Sequence, residues 1–214
     1  MSDWKSLLKA ESTDWLLEAG NASVRYFALT ELLEKPETEP EVLDAKAQIM
    51  HTGVVPKILS KQNEQGYWET PDRFYTAKYK GTVWQLIILA GLGTDGTDER
   101  VKNACEFILD YSQDHESGGF SVYHSARTGG GRHGTVIPCL TGNMVFSLIK
   151  LGFLKDSRVE RAINWITKYQ RFDDGEAPVP KGWPYDTMKS CFSKHTCHMG
   201  AAKALKALAA IPPE

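Results

Sequence analysis

A chain of 214 residues, 42% apolar and 24% charged, can bury a sizeable core and has the make-up of an ordinary globular protein. Its net charge of −2 argues against a general nucleic-acid binder, and its longest apolar run, around "VWQLIILAGLG", falls short of the ~20 residues needed to span a bilayer. No transmembrane segment and no nucleic-acid partner are therefore expected.

The N-terminal "MSDWKSLLKAESTDW" mixes acids and bases, so it reads as neither signal peptide nor transit peptide, and a cytoplasmic location is expected. Four cysteines in a reducing compartment are core thiols or metal ligands rather than disulfides. In "EPEVLDAKAQIM" the apolar positions Val42, Ala45 and Ile49 recur at helical steps. An apolar helix, "TVWQLIILAGLG", follows and ends at Gly93, a C′ residue. "DERVKNACEFILDYSQ" places Val101, Ala104, Cys105, Ile108 and Leu109 on one face, with Asp98 as cap. The pair then recurs: "CLTGNMVFSLIKLG" is apolar and ends at Gly152, and "DSRVERAINWITKYQ" is amphipathic with Val159, Ala162, Ile163 and Ile166 behind Asp156.

The spacing makes this an internal repeat: Val42 to Val101 is 59 positions, and Val101 to Val159 is 58. An apolar helix alternating with an amphipathic one predicts an inner and an outer layer. The fold expected is all-α, an array of about 3.5 helix pairs over 39–211 with an N-terminal helical cap over 1–38, in a single domain. Long loops rich in Gly and Pro join the pairs, and loops of that length are functional or disordered.

Three of these loops carry a resemblance. "QNEQGYW" presents Gln62, Gly66 and Trp68 in the Q-x3-G-x-W arrangement of the QW motif of terpenoid cyclases, and "QDHESGGF" and "QRFDDGE" look like degraded copies. The chain from about 40 to 211 thus resembles the α/α-toroid superfamily of squalene cyclases, protein prenyltransferase β subunits and lanthionine cyclases. "NASVRYFALTELLEK" is similar to a HEAT-type helix. The resemblance implies a small or incomplete barrel whose inner helices line a cavity, closed by the N-terminal helices or by a second subunit in a homo-oligomer.

Two sets of residues carry chemistry. Cys139 and Cys197 are 58 positions apart, the repeat offset, and each has glycine three residues on. That phase puts both thiols at the N-terminal ends of successive inner helices, where the helix dipole favours a thiolate. His198, Cys191 and His195 supply further ligands, and zinc takes three or four such donors. Buried packing without metal is the other reading of the same residues. The arrangement resembles the Cys and Cys-His motifs of lanthionine cyclases, which implies Cys139, Cys197 and His198 as zinc ligands, although Met199 separates His198 from Gly200 here. The second set is "YHSARTGGGRHG", where His124, Arg127, Arg132 and His133 surround three glycines, a composition suited to anion binding or to a mobile loop.

Among the aromatics, Trp84, Tyr123 and Trp183 are candidates to line an apolar pocket, or else they are core and loop anchors. Neither the D-x-D-D acid nor the D-D-x-x-D cluster of terpene cyclases is present; Asp173 and Asp174 match neither. Two functions follow as expectations. One is a zinc-dependent transferase or lyase acting on a hydrophobic or anionic, isoprenoid- or thiol-containing small molecule. The other is a non-catalytic toroid that binds a ligand or a protein, with structural cysteines.

Overall fold

A computed structural model describes residues 12–213. The first eleven residues of the expected cap, including "MSDWKSLLKAE", lie outside the described residues. The rest is mostly helical, with isolated β-bridges and no sheet among the described residues. The helices are α1 (Thr13–Leu16), α2 (Ala22–Phe27), α3 (Pro40–Ile49), α4 (Val55–Leu59), α5 (Thr82–Gly91), α6 (Glu99–Tyr111), α7 (Pro138–Lys150), α8 (Ser157–Tyr169) and α9 (His198–Leu208). No helix among the described residues is long and apolar enough to cross a membrane.

The chain divides into two compact units. The first holds residues up to 60 together with 92–95. In it α2 starts at Asn21, whose side chain accepts from the Val24 N–H at 3.3 Å, and runs into a π-helical turn over Ala28–Leu32. α2 packs on α3, which buries Val42, Ala45 and Ile49 as the periodicity requires. Lys46 closes this unit, donating to the Gly93 carbonyl at 2.7 Å from above the Tyr26 ring. The helix expected in "EPEVLDAKAQIM" is α3, and the short α4 follows it as a separate element.

The second unit holds 61–91 and 96–214. Here α5, α7 and α9 form a row, with α6 against α5 and α8 against α7. α7 is the central member and buries Leu140, Met144, Val145 and Leu148. The amphipathic α6 and α8 are capped as expected: Asp98 accepts from the Arg100 N–H at 2.9 Å and Asp156 from the Arg158 N–H at 2.8 Å. On α8 the core position belongs to Trp165, while Ile163 is only half-buried. The closest approach is between α7 and α9. A Cβ on Gly142 would stand 2.7 Å from the Lys203 backbone, so no larger residue lets the helices pack this tightly.

The repeat is held by a pair of matching glutamine clamps. The Gln62 amide donates to the Gly66 carbonyl (3.1 Å) within its own loop and to the Arg100 carbonyl (2.8 Å) on α6. Gln113 does the same to Gly118 (2.8 Å) and to Arg158 (2.7 Å) on α8. Gly66 and Gly118 adopt φ of +89° and +85° and lie against the backbone of α6 and α8, where a Cβ would collide. Two residues on, Trp68 and Phe120 are buried, and their N–H groups donate to the hydroxyls of Thr82 (3.2 Å) on α5 and Thr141 (2.9 Å) on α7. Each clamp therefore ties a loop to two helices, α6 and α5 in one case and α8 and α7 in the other.

Gln113→Leu leaves two carbonyls without their donor and is expected to cost about 2–4 kcal/mol in urea unfolding. Gln170→Leu, at the degraded third copy, is expected to cost less than about 1 kcal/mol. Equal losses at the two positions would mean that Gln113 does not clamp.

Candidate functional site

Cys139 is the second residue of α7 and Cys197 is the N-cap of α9, so both thiols do stand at N-terminal helix ends, two positions from strict equivalence. Cys191 joins them from the loop before α9. The three are near enough to act on one another: charge on Cys197 disfavours ionisation of Cys139, and charge on either disfavours that of Cys191. Tyr75 completes the neighbourhood; burial raises the pKa of its hydroxyl, and the charges of Cys139 and Cys191 raise it further.

The expectation that a helix N-terminus would lower the Cys139 pKa is overturned. Burial is the largest effect and pushes the thiol up; the Lys203 ammonium on α9 and the N–H groups of Cys139 and Leu140 offset only part of it. Burial pushes Cys191 up as well, against a smaller opposing effect of Ser190. Cys105, inside α6, is pushed up to about 12 by burial and is a core residue.

His195 and His198 turn away from these thiols. Their side chains are 69% and 87% exposed, and His195 Nδ1 and His198 Nε2 lie 3.5 and 3.9 Å from Asp174 Oδ1. That carboxylate also accepts from the Thr196 N–H at 3.2 Å. Among the described residues, no three His, Cys, Asp or Glu side chains converge as a bound metal ion requires. By donor chemistry, Cys139, Cys191 and Cys197 fit a soft ion such as zinc; by side-chain placement they are neighbours rather than a closed ligand set.

The glycine-rich loop is ordered by its own polar groups. Bridges join Gln113 to Phe120, Ser121 to Val136 and His124 to Gly131. Ser112 donates to the Ser121 carbonyl at 2.9 Å, and the Ser121 and Thr135 hydroxyls share a bond of 2.8 Å. His124 belongs to this frame: its ring stacks on Tyr111 at 3.7 Å and its Nδ1 lies 3.1 Å from the Tyr111 carbonyl. Arg127 and Arg132 are exposed, and His133 is fixed between Asp114, 2.8 Å from Nδ1, and the Trp183 indole, stacked at 4.1 Å.

The three pocket aromatics are dispersed. Trp84 packs on Tyr75 and Tyr79 and donates to the Tyr75 carbonyl at 2.7 Å, close to the thiols. Tyr123 is nearly half exposed beneath Arg132, and Trp183 serves His133. Asp114 and Lys203 were not anticipated. Asp114 had a faint signal, since it directly follows the clamp glutamine; Lys203 had none, because only the packing of α9 on α7 brings it to Cys139.

A scan of family models and a search of curated proteins return no match to this chain. The site therefore stands on its own geometry, which sets an order of thiol reactivity. A rise from 9.0 to about 12 lowers the thiolate fraction of Cys105 about a thousand-fold near neutral pH, so it should be the last to alkylate. Cys139 and Cys191 should react with iodoacetamide more slowly in the folded protein than after unfolding, with rates climbing as pH rises, as read by peptide mass spectrometry. Faster labelling of folded Cys139 at neutral pH would contradict the dominance of burial.

Proposed function

We propose that the chain is a small α/α-toroid-type repeat protein, of the kind found in protein prenyltransferases and terpenoid cyclases, that holds zinc through Cys139, Cys191 and Cys197. The reading extends to catalysis on a hydrophobic or anionic substrate, isoprenoid- or thiol-containing. The observation that carries it is the placement of three thiols at the packed N-terminal ends of α7 and α9 and in the loop just before α9. The row of α5, α7 and α9, with α6 and α8 each held by a glutamine clamp, supports the architecture.

When bound, zinc supplies a Lewis acid that keeps a substrate thiol ionised or polarises a water. The chain's own residues do the rest. Cys139 and Cys191, protonated when metal-free because burial raises their pKa, must each release a proton on binding, which makes affinity grow with pH. Lys203 offsets part of the negative charge collected around Cys139. His195 or His198 would complete the ligand set by leaving Asp174. The second reading, a non-catalytic ligand- or protein-binding array, is favoured by one observation: among the described residues no three potential ligands converge on one point.

Elemental analysis of protein purified under reducing conditions is expected to give about one zinc per chain, falling to about a tenth in Cys197→Ala at unchanged helical content. Zinc-free wild-type protein with full helical content would leave the non-catalytic reading.

A further inference from the structure

We propose that the cleft beside the glycine-rich loop is a second site, independent of the thiols, that binds a small phosphate-type oxyanion between Arg127, Arg132 and His133. The cleft has a volume of about 460 Å³, within the range of small-molecule sites, and polar groups of the 114–134 segment line it.

Three features equip it for an oxyanion. First, Arg127 and Arg132 line the cleft with exposed side chains, and neither has a carboxylate partner among the described residues. The Tyr123 ring, 5.5 Å from the Arg132 guanidinium, steadies it without neutralising it. Second, His133 is held rigidly. Its Nδ1 bonds to Asp114 Oδ2 at 2.8 Å, its ring stacks on Trp183 within 15° of parallel, and its carbonyl accepts from the Trp183 indole N–H at 3.2 Å. With Nδ1 committed to Asp114, Nε2 is the edge left for a ligand. It donates to an oxyanion when the ring is charged and accepts from the P–OH of a monoanion when it is neutral.

Third, Asp114 does not compete for the cations. Its carboxylate is buried and already accepts from the Ser117 N–H at 3.0 Å and the Ser117 hydroxyl at 2.6 Å, besides His133. Glu116 is a second opposing charge on the lining, with Oε2 3.7 Å from His133 Nδ1, but it is 78% exposed and so well screened. Two guanidinium forks and an imidazole approaching from separate residues suit a tetrahedral anion. A carboxylate would be satisfied by one fork.

Calorimetric titration with inorganic phosphate in a low-chloride buffer, read in parallel by the ring resonances of His133, tests the site. Saturation at about one equivalent is expected, with the His133 signals shifting and acetate binding at least about ten-fold more weakly. Arg127→Gln, at an exposed loop position, is expected to weaken phosphate about ten-fold, and Arg127→Gln with Arg132→Gln to abolish it while zinc content and helical content stay at wild-type levels. Absence of saturable phosphate binding, binding unchanged in the double variant, or acetate binding as tightly as phosphate would each overturn the proposal.

Discussion

The close crossing of α7 and α9 at Gly142 is the constraint on which the candidate chemistry depends. Helix axes packed through ordinary side chains stay 8–10 Å apart. Here the absence of a Cβ brings the Lys203 backbone against α7, and the whole N-terminal half of α9 follows. Cys197 is carried toward Cys139, and Lys203 is placed where its charge opposes the burial penalty on that thiol. Gly200 repeats the device from the other side, lying against the Pro138 ring. The electrostatic neighbourhood of the three cysteines is thus a consequence of two glycines rather than of any attraction between the sulfurs, whose charges repel.

The glutamine clamps supply the complementary order along the repeat. Each gives its amide to two backbone carbonyls, one local and one on α6 or α8, and so fixes its loop against that helix. At the degraded third copy the amide bonds differently. Gln170 turns onto the adjacent Arg171 carbonyl, its own Oε1 has no hydrogen-bond partner among the described residues, and Ala177 stands where Trp68 and Phe120 anchor the earlier loops. Arg171 takes over, bonding Asp173 and the Ser193 and Ala177 carbonyls and so pinning the loop that carries Cys191. Arg171 thus supports the segment that carries Cys191.

Much of this was legible in the residues. The 58–59 spacing located the helix pairs, Asp98 and Asp156 cap α6 and α8, and Gly93 and Gly152 take the left-handed backbone that ends α5 and α7. These features are local, and local rules govern them. What escaped depends on tertiary context. The five residues of α4 are too few to show a helical period. The order of the 113–137 loop comes from serine, threonine and histidine bonds that glycine content conceals. The helix dipole argument for Cys139 failed because desolvation, set by packing on every side, exceeds a partial charge at a helix end. Likewise His198 sits next to Cys197 in sequence yet faces Asp174, since successive residues at a helix start point in different directions.

Two sites of opposite character emerge on one repeat unit: a half-buried set of thiols at the ends of α7 and α9, and a cationic cleft built from the preceding loop. Desolvation governs the first and unpaired charge the second, so each can be altered without the other. The central claim is that Cys139, Cys191 and Cys197 share one neighbourhood apart from Cys105. Treatment of the folded, metal-free protein at pH 9 with a short bifunctional thiol reagent, followed by peptide mapping, tests it most directly. Crosslinks among Cys139, Cys191 and Cys197, with Cys105 left free, are predicted; no crosslink between any two of the three, or equal capture of Cys105, would contradict it.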